Sequence, residues 1–327
     1  MATHTEPSQD NFTEISRRYN LGNIVKEPRL EAGGKANYNY AVETERGTYM
    51  IRVSQEKDEA GKKRKELEYA FTDYLHESDF PYNTPLFLQN DEGNRVTTLG
   101  THNFEVYERL PGEVHKTFDE SSYRQLAQAL GNLHKYAQEF PAGAYDSEHE
   151  ASVRNWLLQH YQEMRQLEPN TKTNTLILDN VDFFEDALSY TEDVDWHRNR
   201  QVVHGDLTDA NVLFEDGTLT GIIDFDSINV HPRAKDVADS INRTNFLGRG
   251  YSEEKENIFV DEYAKVHNLS QEEIDALVPL TIRGDCIFFY WGNMRLEKSK
   301  DDMYDTTQHL VKNTKGLVDI VQSRERV

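Results

Sequence analysis

Cysteine is almost missing from this chain: Cys286 is the single one in 327 residues. One thiol cannot close an intrachain disulfide, so a crosslinked framework is excluded and a reducing compartment is the expected home. Long apolar runs are missing too. The nearest, Ile287–Trp291, is far short of the ~20 residues that a spanning helix needs, and no membrane partner is expected. The opening stretch MATHTEPSQDNF is polar and lacks the apolar region of a secretory signal, so a soluble, cytoplasmic protein is expected. Basic residues are in deficit, 36 against 58 acidic ones, for a net charge of −22. Nucleic-acid binders carry basic surfaces, so no nucleic-acid partner is expected, and the acidic balance is read as solubility. No internal repeat or low-complexity linker interrupts the chain.

Material for a core is present. Hydrophobic residues make up 37%, with 17 Tyr and 15 Phe, more than a disordered chain carries. The length suits one two-lobed domain or two modest ones. Residues 1–109 read as strand-rich. Tyr38–Glu43 and Thr48–Ser54 flank the turn Thr44-Glu45-Arg46-Gly47, a hairpin signal. Glu56–His76 is expected to be a helix with Leu67, Ala70, Phe71, Tyr74 and Leu75 on one face. Short strands are expected at Leu86–Gln89, Val96–Leu99 and Asn103–Arg109. Leu110-Pro111-Gly112 breaks the pattern, and residues 110–327 read as helical. Leu126, Ala129, Leu130, Leu133 and Ala137 recur at helical spacing, with Ser121 or Ser122 as the expected N-cap. Residues 152–168 and 180–193 also read as helices. Between them and the C-terminal helices, Val212-Leu213-Phe214 and Leu219–Phe225 surround the turn Glu215-Asp216-Gly217, a small polar hairpin.

The chemistry concentrates around that hairpin. The stretch Val203-His204-Gly205-Asp206-Leu207-Thr208-Asp209-Ala210-Asn211 is followed by Ile222-Ile223-Asp224-Phe225-Asp226. Phosphoryl transfer from ATP needs a carboxylate to accept or orient the attacking hydroxyl, and oxygen ligands that hold Mg²⁺ against the phosphates. His-x-Asp, four residues, then Asn, then a later Asp is the kinase arrangement of those parts. A lone His-Gly-Asp would be an ordinary turn; here the spacing to Asn211 and the later Asp224 go with it.

These residues resemble the aminoglycoside phosphotransferase and choline kinase superfamily, small-molecule kinases distantly related to protein kinases. The same family is echoed in Val106-Tyr107-Glu108-Arg109-Leu110-Pro111-Gly112-Glu113, similar to its hinge, in the helix Leu126–His134, and in Pro232-Arg233-Ala234-Lys235-Asp236-Val237-Ala238 after the metal site. The resemblance spans residues 25–245 and implies an α+β, bilobal protein-kinase-like fold. Residues 1–109 would be the nucleotide-binding lobe and 110–327 the catalytic and substrate-binding lobe. It implies Asp206 as catalytic base, Asn211 and Asp224 as Mg²⁺ ligands, and ATP as co-substrate. His204 is expected to hold the loop by hydrogen bonds, and Asp236 to brace it. Asp226 either contacts metal or is solvated, with solvation the expectation.

The nucleotide-side signals are positional. Gly33, Gly34 and Lys35 lie where the family's phosphate-covering loop would lie, although the full Gly-x-Gly-x-x-Gly pattern is missing; glycines let backbone N–H groups approach phosphates. Arg52, on the next strand, is expected to present a cation to the phosphates, since a guanidinium stays charged and offers a fork of donors. Its partner is Glu68 or Glu66, with Glu68 the better fit to the helix. Backbone groups around Val106, Tyr107 and Glu108 would meet the adenine. For the acceptor, Asp285, Tyr290, Trp291 and Glu297 are candidates, against the alternative that Ile287–Trp291 is core. A small-molecule hydroxyl acceptor is expected, of the aminoglycoside, amino alcohol, homoserine or sugar type. Two rivals are an ATP-binding protein without turnover, which the complete Asp206, Asn211 and Asp224 set opposes, and a protein kinase. The protein kinase is opposed by the missing Arg before Asp206 and the missing Ala-Pro-Glu element.

Overall fold

The computed structural model describes residues 6–31, 37–54, 59–146, 150–294 and 303–324. Two compact units emerge: Met1–Glu113 together with Thr220–Asp226, and Val114–Leu219 together with Ser227–Val327.

The first unit opens with α1 (Gln9–Arg18), which the strand-rich reading did not anticipate. Ser8 caps it and Asn11 returns the bond to the Ser8 backbone, a capping box. Next come β1 (Arg29–Leu30), β2 (Tyr38–Thr44), β3 (Gly47–Ser54), α2 (Glu59–Glu77), β4 (Val96–Leu99) and β5 (His102–Glu108). The five strands form one sheet in the order β1-β2-β3-β5-β4. Thr44 pairs with Gly47, so the expected hairpin closes around Glu45-Arg46. Phe12 and Ile15 of α1 join Tyr40, Ile51, Val53, Phe104 and Val106 in the core of this unit. On α2, Leu67, Phe71 and Leu75 are buried, as the period requires. Leu86–Gln89 does not become a strand; it contributes a single bridge, Phe87 to Tyr107. Leu86 is exposed and Phe87 is buried.

The second unit holds α3 (Glu120–Ala137), α4 (Glu150–Met164), α5 (Lys172–Ala187), β6 (Arg200–Val203), β7 (Val212–Glu215), β8 (Thr218–Ile222), β9 (Asn229–Pro232), α6 (Arg233–Arg243), α7 (Glu253–Tyr263), α8 (Gln271–Asp275), α9 (Leu277–Met294) and α10 (Tyr304–Arg324). The chain crosses to the first unit within β8. Helix α3 starts earlier than expected, because the carboxylate of Asp119, not Ser121 or Ser122, accepts from the Ser122 N–H. Helix α5 likewise begins at Lys172 under a Thr171 cap, ahead of the expected 180. The hairpin of β7 and β8 is present. Asp216 and Gly217 both have positive φ, 47° and 79°, the backbone that a two-residue turn between right-twisted strands needs. Strands β6 and β9 pair antiparallel, a sheet that no local pattern announced. Helix α9 packs against α4, α5, α6 and α10. Phe289, Tyr290 and Cys286 on it are core residues.

Candidate active site

In the second unit, β6 runs into the loop that carries Asp206, and α6 fixes that loop. Asp236, fully buried on α6, accepts from the backbone N–H of His204 and of Gly205, each at 2.8 Å. His134 Nε2 lies 3.2 Å from the same carboxylate. Burial alone pushes the Asp236 carboxyl up, but the His134 hydrogen bond and the charges of His134, His204 and Lys235 hold it down at about 2. His204 is buried, and its Nδ1 accepts from the Asp206 N–H at 3.2 Å. Both residues therefore do what their positions promised: they hold the loop. Ser240 Oγ adds a bond to the Leu207 carbonyl at 2.7 Å.

Gly205 explains why this loop reads His-Gly-Asp. Its φ is +78°, and a Cβ there would fall on the Ser227 carbonyl oxygen and lie 3.2 Å from the Ser227 carbonyl carbon. Only glycine tolerates both the left-handed backbone and that approach. Asp206 follows with its side chain 28% exposed and its carboxylate 2.6 Å from Arg243 Nη2. Burial raises the Asp206 pKa above that of an ordinary carboxylate, with Arg243 and His204 pulling the other way. Asn211 Nδ2 donates to the Asp206 carbonyl at 2.8 Å. An amide held through its nitrogen turns its oxygen away from that bond, free to serve as a hard ligand.

In the first unit, Arg52 is the centre of a buried charge cluster. Its side chain is 4% exposed; Nη2 donates to Glu68 at 2.9 Å, Nε lies 3.2 Å from Glu105, and Nη1 is 2.6 Å from Asp226. Lys65 Nζ lies 2.8 Å from both Glu68 and Asp226. Tyr69 donates to Glu105 at 2.5 Å, and the amide of Asn37 donates to Asp226. Burial disfavours the guanidinium charge, but Glu105, Glu68 and Asp226 hold its pKa well above the ordinary value. For Glu105 burial is again outweighed, by Arg52, Lys65 and the Tyr69 bond, and its pKa is lowered. The guanidinium also lies over the Phe87 ring, 4.7 Å from its centroid. Glu68 is thus the helix partner of Arg52, and Glu66 is exposed.

Asp226 departs from its expected solvation: its side chain is 19% exposed and tied to Arg52 and Lys65. Asp224 is exposed, with φ of +63°. Val106, Tyr107 and Glu108 lie at the end of β5, paired with Ile51, Met50 and Tyr49. The Val106 carbonyl already accepts from the Leu88 N–H at 2.8 Å. Gly33, Gly34 and Lys35 lie outside the described residues, as does Glu297. Tyr290 and Asp285 are buried; Tyr290 packs edge-on against Trp156 and His160, which favours the core reading of that helix. Trp291 is exposed.

Sequence reasoning missed Lys65, Glu105 and Arg243. Signals existed: Lys65 is one helical turn before Glu68, Glu105 is the cross-strand partner of Arg52, and Arg243 is two turns after Asp236 on α6.

A profile of the phosphotransferase enzyme family, APH, matches residues 29–268. The chain belongs to this family. Homoserine kinase of Sinorhizobium fredii is 26% identical over 301 residues, covering 89% of this chain and 85% of that one. Homoserine kinase of Rhodopseudomonas palustris strain TIE-1 is 27% identical over 335 residues, covering 98% and 97%. Among solved structures, a spectinomycin phosphotransferase in complex with ADP and spectinomycin superposes with a TM-score of 0.68 at 14% identity, over 95% of this chain and 99% of that one. A microcompartment-associated aminopropanol kinase gives 0.62 at 17% identity, over 89% and 90%. The α+β fold is that of the small-molecule kinases, and this phosphotransferase is an ATP-dependent kinase of a small-molecule hydroxyl. Among the described residues no helix is long and apolar enough to cross a membrane.

Proposed function

We propose that the chain transfers the γ-phosphoryl of Mg·ATP to the hydroxyl of a small amino- or carboxyl-bearing alcohol of the homoserine type, with Asp206 as the base. The observation that carries the reading is the construction of the catalytic loop. Asp236 holds two successive loop amides, and Gly205 packs its backbone against Ser227, so the following residue, Asp206, is presented on a rigid turn. Preorganised loops of this kind are what phosphoryl transfer asks of a protein, because little covalent chemistry is left for side chains.

In this reading Asp206 accepts the hydroxyl proton as the acceptor oxygen bonds to the γ-phosphorus and the bond to the β–γ bridging oxygen breaks, releasing ADP. A carboxylate whose pKa burial has raised is better matched to that task than an ordinary one. Asn211 and Asp224 would hold Mg²⁺: both offer hard oxygen donors, and Mg²⁺ takes few protein ligands beside phosphates and water. The metal would neutralise charge on the transferring group. Arg52 would meet the phosphates once Asp226 releases one edge of its guanidinium, with Glu68 and Glu105 keeping it in place. Glu108 and Tyr107 remain assigned to the adenine side together with Val106, and Gly33, Gly34 and Lys35 to the phosphates. A cytoplasmic location goes with ATP as co-substrate and with a lone, buried Cys286.

The test is a coupled ADP-release screen over homoserine, 3-aminopropan-1-ol, choline and aminoglycosides, with mass-spectrometric detection of the phosphorylated product. Phosphohomoserine as the preferred product supports the reading. Product only from aminoglycosides or choline sinks the homoserine-type acceptor.

A further inference from the structure

We propose that Arg243 is a specificity-determining residue that binds a carboxylate on the acceptor, so that the preferred substrates are hydroxy acids or hydroxy amino acids. The proposal rests on Asp206 as the base and on the homoserine-type acceptor, and adds the residue that reads the acceptor's carboxylate.

The backbone of Arg243 is placed by the same bonds that build the catalytic loop. Helix α6 is tied to the loop through Asp236 at the His204 and Gly205 amides and through Ser240 at the Leu207 carbonyl. Just past the helix, the Asn245 N–H donates to Asp209 at 3.0 Å. Arg243 is the last residue of this helix. Its position beside Asp206 is therefore fixed, while its long side chain remains 42% exposed and able to move.

The ion pair it makes conflicts with catalysis. Nη2 lies 2.6 Å from Asp206 Oδ1, and no other side-chain partner of that carboxylate is found among the described residues. A base that is to take a hydroxyl proton needs its lone pairs turned to the acceptor, and a guanidinium held against it lowers its basicity. The pair must loosen when the acceptor hydroxyl docks within about 3 Å of Asp206. A guanidinium that gives up a carboxylate keeps its charge and can turn to water, since it is 42% exposed, but a second carboxylate would match its fork of donors better than water does. Its remaining contact does not serve: the Gly205 carbonyl is 3.5 Å away. Nor does Asp239, one turn earlier on α6, because Lys235 already neutralises it at 2.5 Å. An acceptor bearing a carboxylate a few bonds from its hydroxyl would supply the anion at the place and moment it is needed. The hydroxyl would take Asp206, and the carboxylate Arg243.

The experiment compares matched acceptors that differ in the carboxylate alone: L-homoserine against 3-aminopropan-1-ol, and glycerate against ethane-1,2-diol. The wild type should favour the carboxylate-bearing member of each pair in kcat/KM. In Arg243→Gln that preference ratio should fall by about 10–100-fold, the size of a lost hydrogen bond to a charged group, with the change carried by the acceptor KM and the KM for ATP unmoved. Arg243→Lys should recover part of the ratio. A thermal melt of each variant guards against misfolding. If Arg243→Gln lowers both members of a pair equally, Arg243 only supports the loop and the proposal is overturned. It is also overturned if the wild type turns over carboxylate-free alcohols and neither anionic acceptor, an outcome that leaves the Asp206 reading standing. Absence of phosphorylated product from every acceptor would overturn both.

Discussion

The Arg52 guanidinium and the Asp226 carboxylate lie 2.6 Å apart although 174 positions separate them in the sequence. With Lys65 they share a cluster in which Asp226, Glu68 and Glu105 supply the negative charge. Removing one charge from a buried network strands its partners. Arg52→Met should therefore destabilise the fold by about 3–5 kcal/mol, read as a shift in the urea midpoint. Arg52→Lys should cost less, since it keeps a cation. Wild-type stability in Arg52→Met would show that the cluster contributes nothing.

Asp206→Asn should leave the urea midpoint and ADP affinity close to wild type and lower kcat by about 10²–10⁴, the range for loss of a general base. Single-turnover measurements with saturating acceptor are the check. Undiminished turnover would remove Asp206 from its role.

If Asn211 and Asp224 hold Mg²⁺ as proposed, Asn211→Ala and Asp224→Ala should abolish Mg²⁺-supported turnover, because each would remove an oxygen ligand from a cation with few protein contacts. The readout is turnover against Mg²⁺ concentration, joined to calorimetric titration of Mg·ATP. Unchanged affinity and unchanged turnover in either variant would exclude that residue as a ligand.

Gly205→Ala should destabilise the protein by about 1–3 kcal/mol, the cost of holding a non-glycine residue in sparsely populated backbone, because φ is +78° and the added methyl meets the Ser227 carbonyl. Activity should fall with it, as the turn before Asp206 must shift. Denaturation and kinetics on the same preparation test both halves.

Asp285 gives a pH signature. It is fully buried, accepts from Asn242, Asn313 and Thr314 at 2.7–3.0 Å, and burial pushes its pKa up to about 6 despite those bonds. A carboxyl whose folded pKa is raised holds its proton more tightly when folded, so it costs nothing below about pH 4 and its cost grows until about pH 6. The stability of the wild type relative to Asp285→Asn should therefore fall as pH rises through that window, by up to about 3 kcal/mol. A difference that stays flat with pH would mean that Asp285 titrates normally.

The local signals were legible. The β2–β3 hairpin followed from alternation around a short turn, the buried face of α2 from its period, and the β7–β8 turn from Asp216-Gly217. The loop that carries Asp206 was singled out because Asp206, Asn211 and Asp224 stand at the spacing of kinase parts. Even the bracing role of Asp236 was anticipated, since Asp236 stands in a motif. Where the reading slipped, capping chemistry decided: Ser8 starts a helix inside a strand-rich region, and Asp119 and Thr171 start α3 and α5 earlier than the apolar period suggested.

By itself the sequence determined the reaction class, because the groups that move a phosphoryl are few and lie within a short stretch whose spacing is local. It also singled out Arg52, by its place on a strand, as a cation in need of a helix carboxylate, and Glu68 is that partner. Only the tertiary structure decided what surrounds those groups. Asp226 meets Arg52 and Lys65 across a long loop of chain, Glu105 faces Arg52 through strand register, and Arg243 reaches Asp206 because α6 is bolted to the catalytic loop. Ion pairs of that kind have no period and no spacing in the sequence. The pairs around Arg52 exist because buried charges must find partners, and for all of them which partners are within reach is set by how the strands and helices pack.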